Sequence, residues 1–179
     1  MGSDPSASGW GRRRGCGRAA ILIALALIAS TLGALGCGGS GHGAETDPEK
    51  GSDAAILNAA LTRELTMLDV YAEGRRFLHG RGRVLGRRLQ AEEGEFVDDV
   101  TKAIRGLGGE TEGEAEAVDL SEVRGERGFF GLVYHLESEA REFYVAKAAQ
   151  LYTAAPRTLD AWLAAGHGRH LGMLPPGGG

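Results

Sequence analysis

Five side chains able to ligate a metal ion stand where helical spacing turns them away from water: Glu64, Glu93, Glu137, His167 and His170. Glu64 follows Leu57 by seven residues and Leu61 by three, and precedes Leu68 by four, which sets it in the middle of an apolar stripe. Glu137 holds the same place relative to Phe130, Val133 and Tyr144. Glu93 lies four after Leu89 and seven before Val100, and His167 and His170 follow Leu163 by four and seven. A carboxylate buried there without a partner costs on the order of several kcal/mol or takes up a proton, and a bound cation removes that penalty. Two imidazoles with up to three carboxylates suit iron, manganese or zinc, and the residue types alone do not choose among them.

The same residues admit plainer readings. The glutamates could sit at the stripe's edge and pair with Arg63, Arg88 or Arg141, and the histidines could hydrogen-bond those glutamates in a metal-free polar network. Tyr71 and Tyr144 read as packing residues whose hydroxyls can also hydrogen-bond the ligand carboxylates. Glu92 and Glu95 are reserve donors beside Glu93. Trp162 reads as core or interface filler.

The elements that must position these groups are all helical. Asp53 can cap a helix over 54–74 with Leu57, Leu61, Leu65, Leu68 and Tyr71 or Ala72 on one face. A second runs over 83–106, with Val84 or Leu85, Leu89, Phe96, Val100 and Ile104 apolar, until Gly108 and Gly109 stop it. Residues 108–127 are acidic and aromatic-free, too long for a tight turn, and read as a crossover. A third helix covers 129–154. A fourth starts at Pro156 and runs to 172, before Pro175 and Pro176. No stretch alternates as a strand does. The expected fold is all-α: a four-helix bundle over 54–174 with one long crossover between its second and third helices, followed by a disordered tail at 175–179. The halves also repeat, since the intervals Glu64 to Tyr71 to Glu93 are 7 and 22 and those from Glu137 to Tyr144 to His167 are 7 and 23.

EEGEFVDDVTKAIRGLGGE at 92–110 and AAGHGRHLGML at 164–174 resemble the second and fourth helices of the ferritin-like superfamily of di-iron carboxylate bundles. In that family each of two helices supplies one glutamate, and each of the other two a Glu-x-x-His pair. The resemblance matches Glu64 and Glu137 to the single glutamates, Glu93 to the glutamate of the second helix and His170 to the histidine of the fourth. Phe96 stands where a histidine is expected, and His167 where a glutamate is. Phe96 has no donor atom, so one ion is expected rather than two. The resemblance implies iron first, with manganese or zinc as substitutes, and an iron- or manganese-dependent oxidoreductase reacting with oxygen or peroxide if the protein is an enzyme. A metal-free ferritin-like scaffold with a structural or interaction role is the alternative, because fold does not decide function.

The start of the chain addresses it to a membrane. Arg12, Arg13, Arg14 and Arg18 precede the apolar run 19–35, and Ala34-Leu35-Gly36-Cys37 resembles a bacterial lipobox. Residues 1–36 read as a signal peptide of the lipoprotein type, and Cys37 as the lipidated anchor. An uncleaved helix is the other reading, although the run falls short of the about 20 apolar residues a span needs. The arginines also admit export by the twin-arginine route. Residues 37–53 form a glycine-rich, charged tether. The segment 1–36 carries four of the 20 Lys+Arg and one of the 24 Asp+Glu, so its removal moves the formal charge from −4 to −7. That charge argues against nucleic acid. The expected location is the cell envelope, outside the cytoplasm, with the membrane as partner through Cys37 and a monomer or dimer as the assembly. Arg75, Arg81 and Arg87 read as a solvated face, or as a contact with anionic lipid headgroups.

Overall fold

A proline after an acidic residue opens the first helix. Asp47 accepts the Glu49 backbone N–H at 3.1 Å, Pro48 takes the first helical position and α1 runs over Pro48–Gly74. The computed structural model describes residues 47–175; the expected signal peptide, Cys37, the expected tether up to residue 46 and most of the expected tail lie outside them. Residues 48–53, expected to end the tether, are helical instead, and the cap is Asp47 rather than Asp53.

Asp53 does another job. It is fully buried, and its carboxylate accepts the backbone N–H groups of Tyr152 (2.8 Å) and Thr153 (2.9 Å) and the Thr153 hydroxyl (2.6 Å). It thereby satisfies amides at the start of α4, which spans Ala154–Met173. Burial alone would raise its pKa, but these hydrogen bonds outweigh burial and hold it below the usual 3.8. Its contribution to stability is therefore complete above 3.8 and fades as pH falls through the lower folded value. Asp53→Asn is expected to cost about 1 kcal/mol at pH 7, with the gap to the parent closing in acid; urea titrations at pH 7 and pH 3 check both parts.

α2 spans Gly80–Gly106, three residues earlier than its apolar periodicity suggests. Gly82 and Gly86 are buried where a Cβ would run into Glu126 and Leu78, so this glycine-rich turn is held by close packing rather than by propensity. Glu126 also accepts the His79 N–H at 2.8 Å. At the other end Gly108 adopts φ +78, and the Gly108 and Gly109 N–H groups return to Arg105 and Ile104 carbonyls. α3 covers Gly125–Lys147, earlier at both ends than its stripe suggests, because the chain tightens into a 3-10 turn at Ala148–Gln150 and is extended at Leu151.

Among the described residues there is no strand, and no helix is long and apolar enough to cross a membrane. α1 packs chiefly on α2 and α3 chiefly on α4, with further contacts of α1 to α3 and α2 to α4. The crossover runs back along α1. Asn58 bonds the Glu110 carbonyl and the Glu112 N–H, Gly113 lies against Leu61, and Thr66 accepts the Glu116 N–H. α3 can therefore begin beside the end of α1, where Phe129 covers Gly74.

The buried apolar residues fall into two clusters. Met67, Val70, Leu78, Leu89, Phe129 and Val133 belong to one, and Leu57, Leu61, Phe96, Val100, Ile104 and Leu163 to the other. Glu64, Glu93, Glu137 and His167 each lie between these sets along their own helices, so the polar centre is closed off by apolar side chains in both directions. Leu65 and Leu68 are only half-buried and Val84 is 60% exposed, leaving Met67 and Leu85 on the inward side.

Candidate metal centre

All five expected donors converge and are fully buried. Donor atoms of Glu93, Glu137, His167 and His170 lie within 4.8 Å of one another. Glu64 adjoins this group through His167, whose Nε2 is 3.2 Å from Glu64 Oε1 and whose Nδ1 is 2.7 Å from Glu137 Oε2. His170 Nδ1 sits 3.1 and 3.2 Å from the two Glu137 oxygens. One carboxylate thus faces both imidazoles. Tyr71 donates its hydroxyl to Glu137 at 2.9 Å, and Tyr144 donates to Glu64, so both tyrosines hold carboxylates as well as pack.

Arg63, Arg88 and Arg141 do not neutralise these acids. Arg63 lies over the Phe143 ring at 4.4 Å, Arg88 pairs with Glu92 at 2.9 Å, and Arg141 is exposed. Glu93 is the least satisfied donor: its Oε1 is 3.0 Å from His170 Nδ1 but out of line for a hydrogen bond, and neither of its oxygens has a well-aligned partner, although Glu64 lies close enough to share a hydrogen with it. Burial, followed by the charges of Glu64 and Glu137, pushes its pKa well above the usual carboxylate range. Burial would also raise Glu137, yet hydrogen bonds from His167 and His170 outweigh it and hold the acid down at about 2. Burial would lower His167, but its bonds to Glu137 and Glu64 carry it up to about 10. Burial raises both tyrosines well above 10, so they act as proton donors to the acids beside them.

Phe96, expected from the sequence resemblance to stand in place of a histidine, is fully buried beside both imidazoles. Its ring stacks on His170 at 5.5 Å, meets His167 edge-on at 5.4 Å and packs over Gly166, where an added Cβ would come within 2.5 Å of it. The position supplies carbon and excludes water in place of a nitrogen ligand. Trp162 closes on the outer side of Phe96 at 5.0 Å but remains 40% exposed, a partial cover rather than core filler.

Two further acids lie near the centre, one a reserve donor by sequence and one that the apolar stripes did not reveal. Glu92 reaches His170 from the solvent side, with Oε2 3.1 Å from Nε2, whereas Glu95 stays exposed. Asp160, seven residues before His167 and three before Leu163, is 1% exposed with Oδ2 unpartnered, and burial lifts its pKa to about 7. Its spacing was the available signal.

Fold and site together define an all-helical bundle whose interior holds a carboxylate–imidazole cluster able to accept a metal ion. No family model matches the chain, and a search of curated proteins finds no match. Among solved structures, it is similar to the crystal structure of a conserved hypothetical protein, rv2844, from Mycobacterium tuberculosis. The TM-score is 0.62 at 17% identity, covering 68% of this chain and 93% of the other. At that identity the likeness concerns the fold.

Proposed function

We propose that this protein is an envelope-anchored, ferritin-like lipoprotein that binds one transition-metal ion in its helical bundle, iron before manganese or zinc, and handles iron or oxidant there. The observation that carries the reading is Glu93: a fully buried carboxyl whose two oxygens have no well-aligned hydrogen-bond partner, beside two histidines and a second glutamate. A cation bound there gives those oxygens a partner and replaces the protons that otherwise balance the cluster. Phe96 supports one ion rather than two. Glu93, Glu137, His167 and His170 would hold it, with Glu64 available beside His167. Iron in such a site would supply redox chemistry with oxygen or peroxide, while the apolar clusters keep bulk water out and Tyr71 and Tyr144 orient Glu137 and Glu64.

A metal-free scaffold has its own support, because both nitrogens of His167 already face acids and both tyrosines are bonded. Metal content of the domain lacking residues 1–37, offered iron, manganese and zinc in turn without oxygen, separates the two readings. One ion per chain is expected in the parent, with loss in Glu64→Ala/His170→Ala. No stoichiometric metal in the parent means a scaffold. Saturating metal should also raise the melting temperature, by an amount equivalent to about 2.7 kcal/mol at a hundred times Kd. For the anchor, Cys37→Ser is expected to release the protein from membranes, and unchanged retention would favour an uncleaved helix.

A further inference from the structure

Glu92 is the one acid of the cluster that touches solvent: its side chain is 21% exposed, whereas those of Glu64, Glu93 and Glu137 are fully buried. It stands next to Glu93 in the chain, but a helix turns about 100° per residue, so the two carboxylates approach His170 from different sides. Glu93 and Glu137 approach Nδ1, at 3.0 Å and 3.1 Å, and Glu92 approaches Nε2 at 3.1 Å. The other Glu92 oxygen accepts from Arg88 Nε at 2.9 Å, one helical turn back. A carboxylate in an ion pair only accepts hydrogen bonds, so the nitrogen facing it carries the hydrogen.

We propose that Glu92 is a positioning residue for the metal centre: it holds the His170 Nε2–H, so that a cation entering the cluster displaces the Nδ1 hydrogen that otherwise faces Glu137 and meets the Nδ1 lone pair on the side of Glu93 and Glu137. Arg88 steadies Glu92 from outside, and Phe96, stacked on the His170 ring, keeps the ring from turning over. The role rests on the metal-binding reading. It makes a definite statement about this chain: His170 ligates through Nδ1, and its ligand strength is set by an acid that never touches the ion. Metal-bound imidazoles commonly lean on a carboxylate in this way, and losing the partner weakens metal affinity roughly 10- to 100-fold.

Zinc is the probe, being diamagnetic, and the protein is the domain that begins after Cys37 with its histidines labelled with nitrogen-15. Glu92→Ala is expected to weaken zinc binding roughly 10- to 100-fold, Glu92→Gln to recover most of the loss through its amide oxygen, and Arg88→Ala to fall between. In the parent, two-bond proton–nitrogen spectra should show zinc shifting His170 Nδ1 while Nε2 keeps its proton. Equal affinity in Glu92→Ala and the parent, or loss of the Nε2 proton on zinc binding, overturns the proposal. If the parent binds no zinc, iron or manganese, the metal reading fails separately. The metal-free spectra then decide the orienting role. The Nε2 hydrogen of His170 should exchange with water more slowly in the parent than in Glu92→Ala, and equal exchange in the two refutes it. Because Glu92 is partly exposed, its variants should melt close to the parent, which separates positioning from collapse of the fold.

Discussion

Glu137→Ala is expected to destabilise the metal-free protein by about 3–5 kcal/mol, the cost of leaving buried charged partners unpaired. Glu137 accepts from Tyr71, faces His167 at 2.7 Å and has both its oxygens against His170 Nδ1, so its removal strands three buried donors together. Glu137→Gln should cost less, since the amide keeps one accepting oxygen while turning an N–H toward an imidazole. Denaturant titrations of the two variants measure the difference. The pH profile adds an independent check. Glu137 is depressed from 4.5 to about 2, so its part of the stability is complete above 4.5 and is lost as pH falls through 2. His167 is raised from 6.5 to about 10, so its part is complete below 6.5 and is lost as pH climbs through 10. The parent should therefore gain most from this pair between those limits, and Glu137→Ala should flatten both flanks. A penalty under about 1 kcal/mol, typical of an exposed ion pair, would show that the network does not hold the bundle's centre together.

The convergence on Glu137 was legible in the sequence because it depends on helical periodicity alone. Glu64, Glu93, Glu137, His167 and His170 each fall within a run of apolar residues three, four and seven apart, and any packing of the four apolar faces brings them together. The crossover was legible for the same reason, as an acidic stretch with no stripe to bury. Features decided by distant partners were not. Asp53 looked like a local cap, but its acceptors serve amides 99 and 100 residues away, while Asp47, followed by proline, caps α1. The start of α2 is rich in glycine and poor in propensity; its helicity comes from Leu78 and Glu126 pressed against Gly86 and Gly82. Glu92 was legible only as a reserve donor beside Glu93; that it faces His170 Nε2 depends on a neighbour across the bundle.

Asp160→Asn is expected to make the protein more stable at pH 8, the reverse of Glu137→Ala, by about 2 kcal/mol. Both acids are buried and belong to the same interior, yet Glu137 has three donors and Asp160 has an oxygen with none. Burial lifts the Asp160 pKa from 3.8 to about 7, so between those values the folded protein holds a proton that the unfolded chain releases. Stability linked to this group accordingly falls as pH rises from 3.8 and levels off above 7. The whole displacement corresponds to about 4 kcal/mol. Roughly half is expected, because Asp160 lies just beneath the surface and solvent screens part of the charge. Asparagine keeps the shape and removes the charge, so parent and variant should coincide near pH 3 and diverge toward pH 8. Urea midpoints across that range test it, and parallel curves would mean that Asp160 finds a partner in solution. A diverging pair would show that the bundle tolerates a costly acid on the His167 stripe, where its charge acts on the Tyr144 phenol that donates to Glu64.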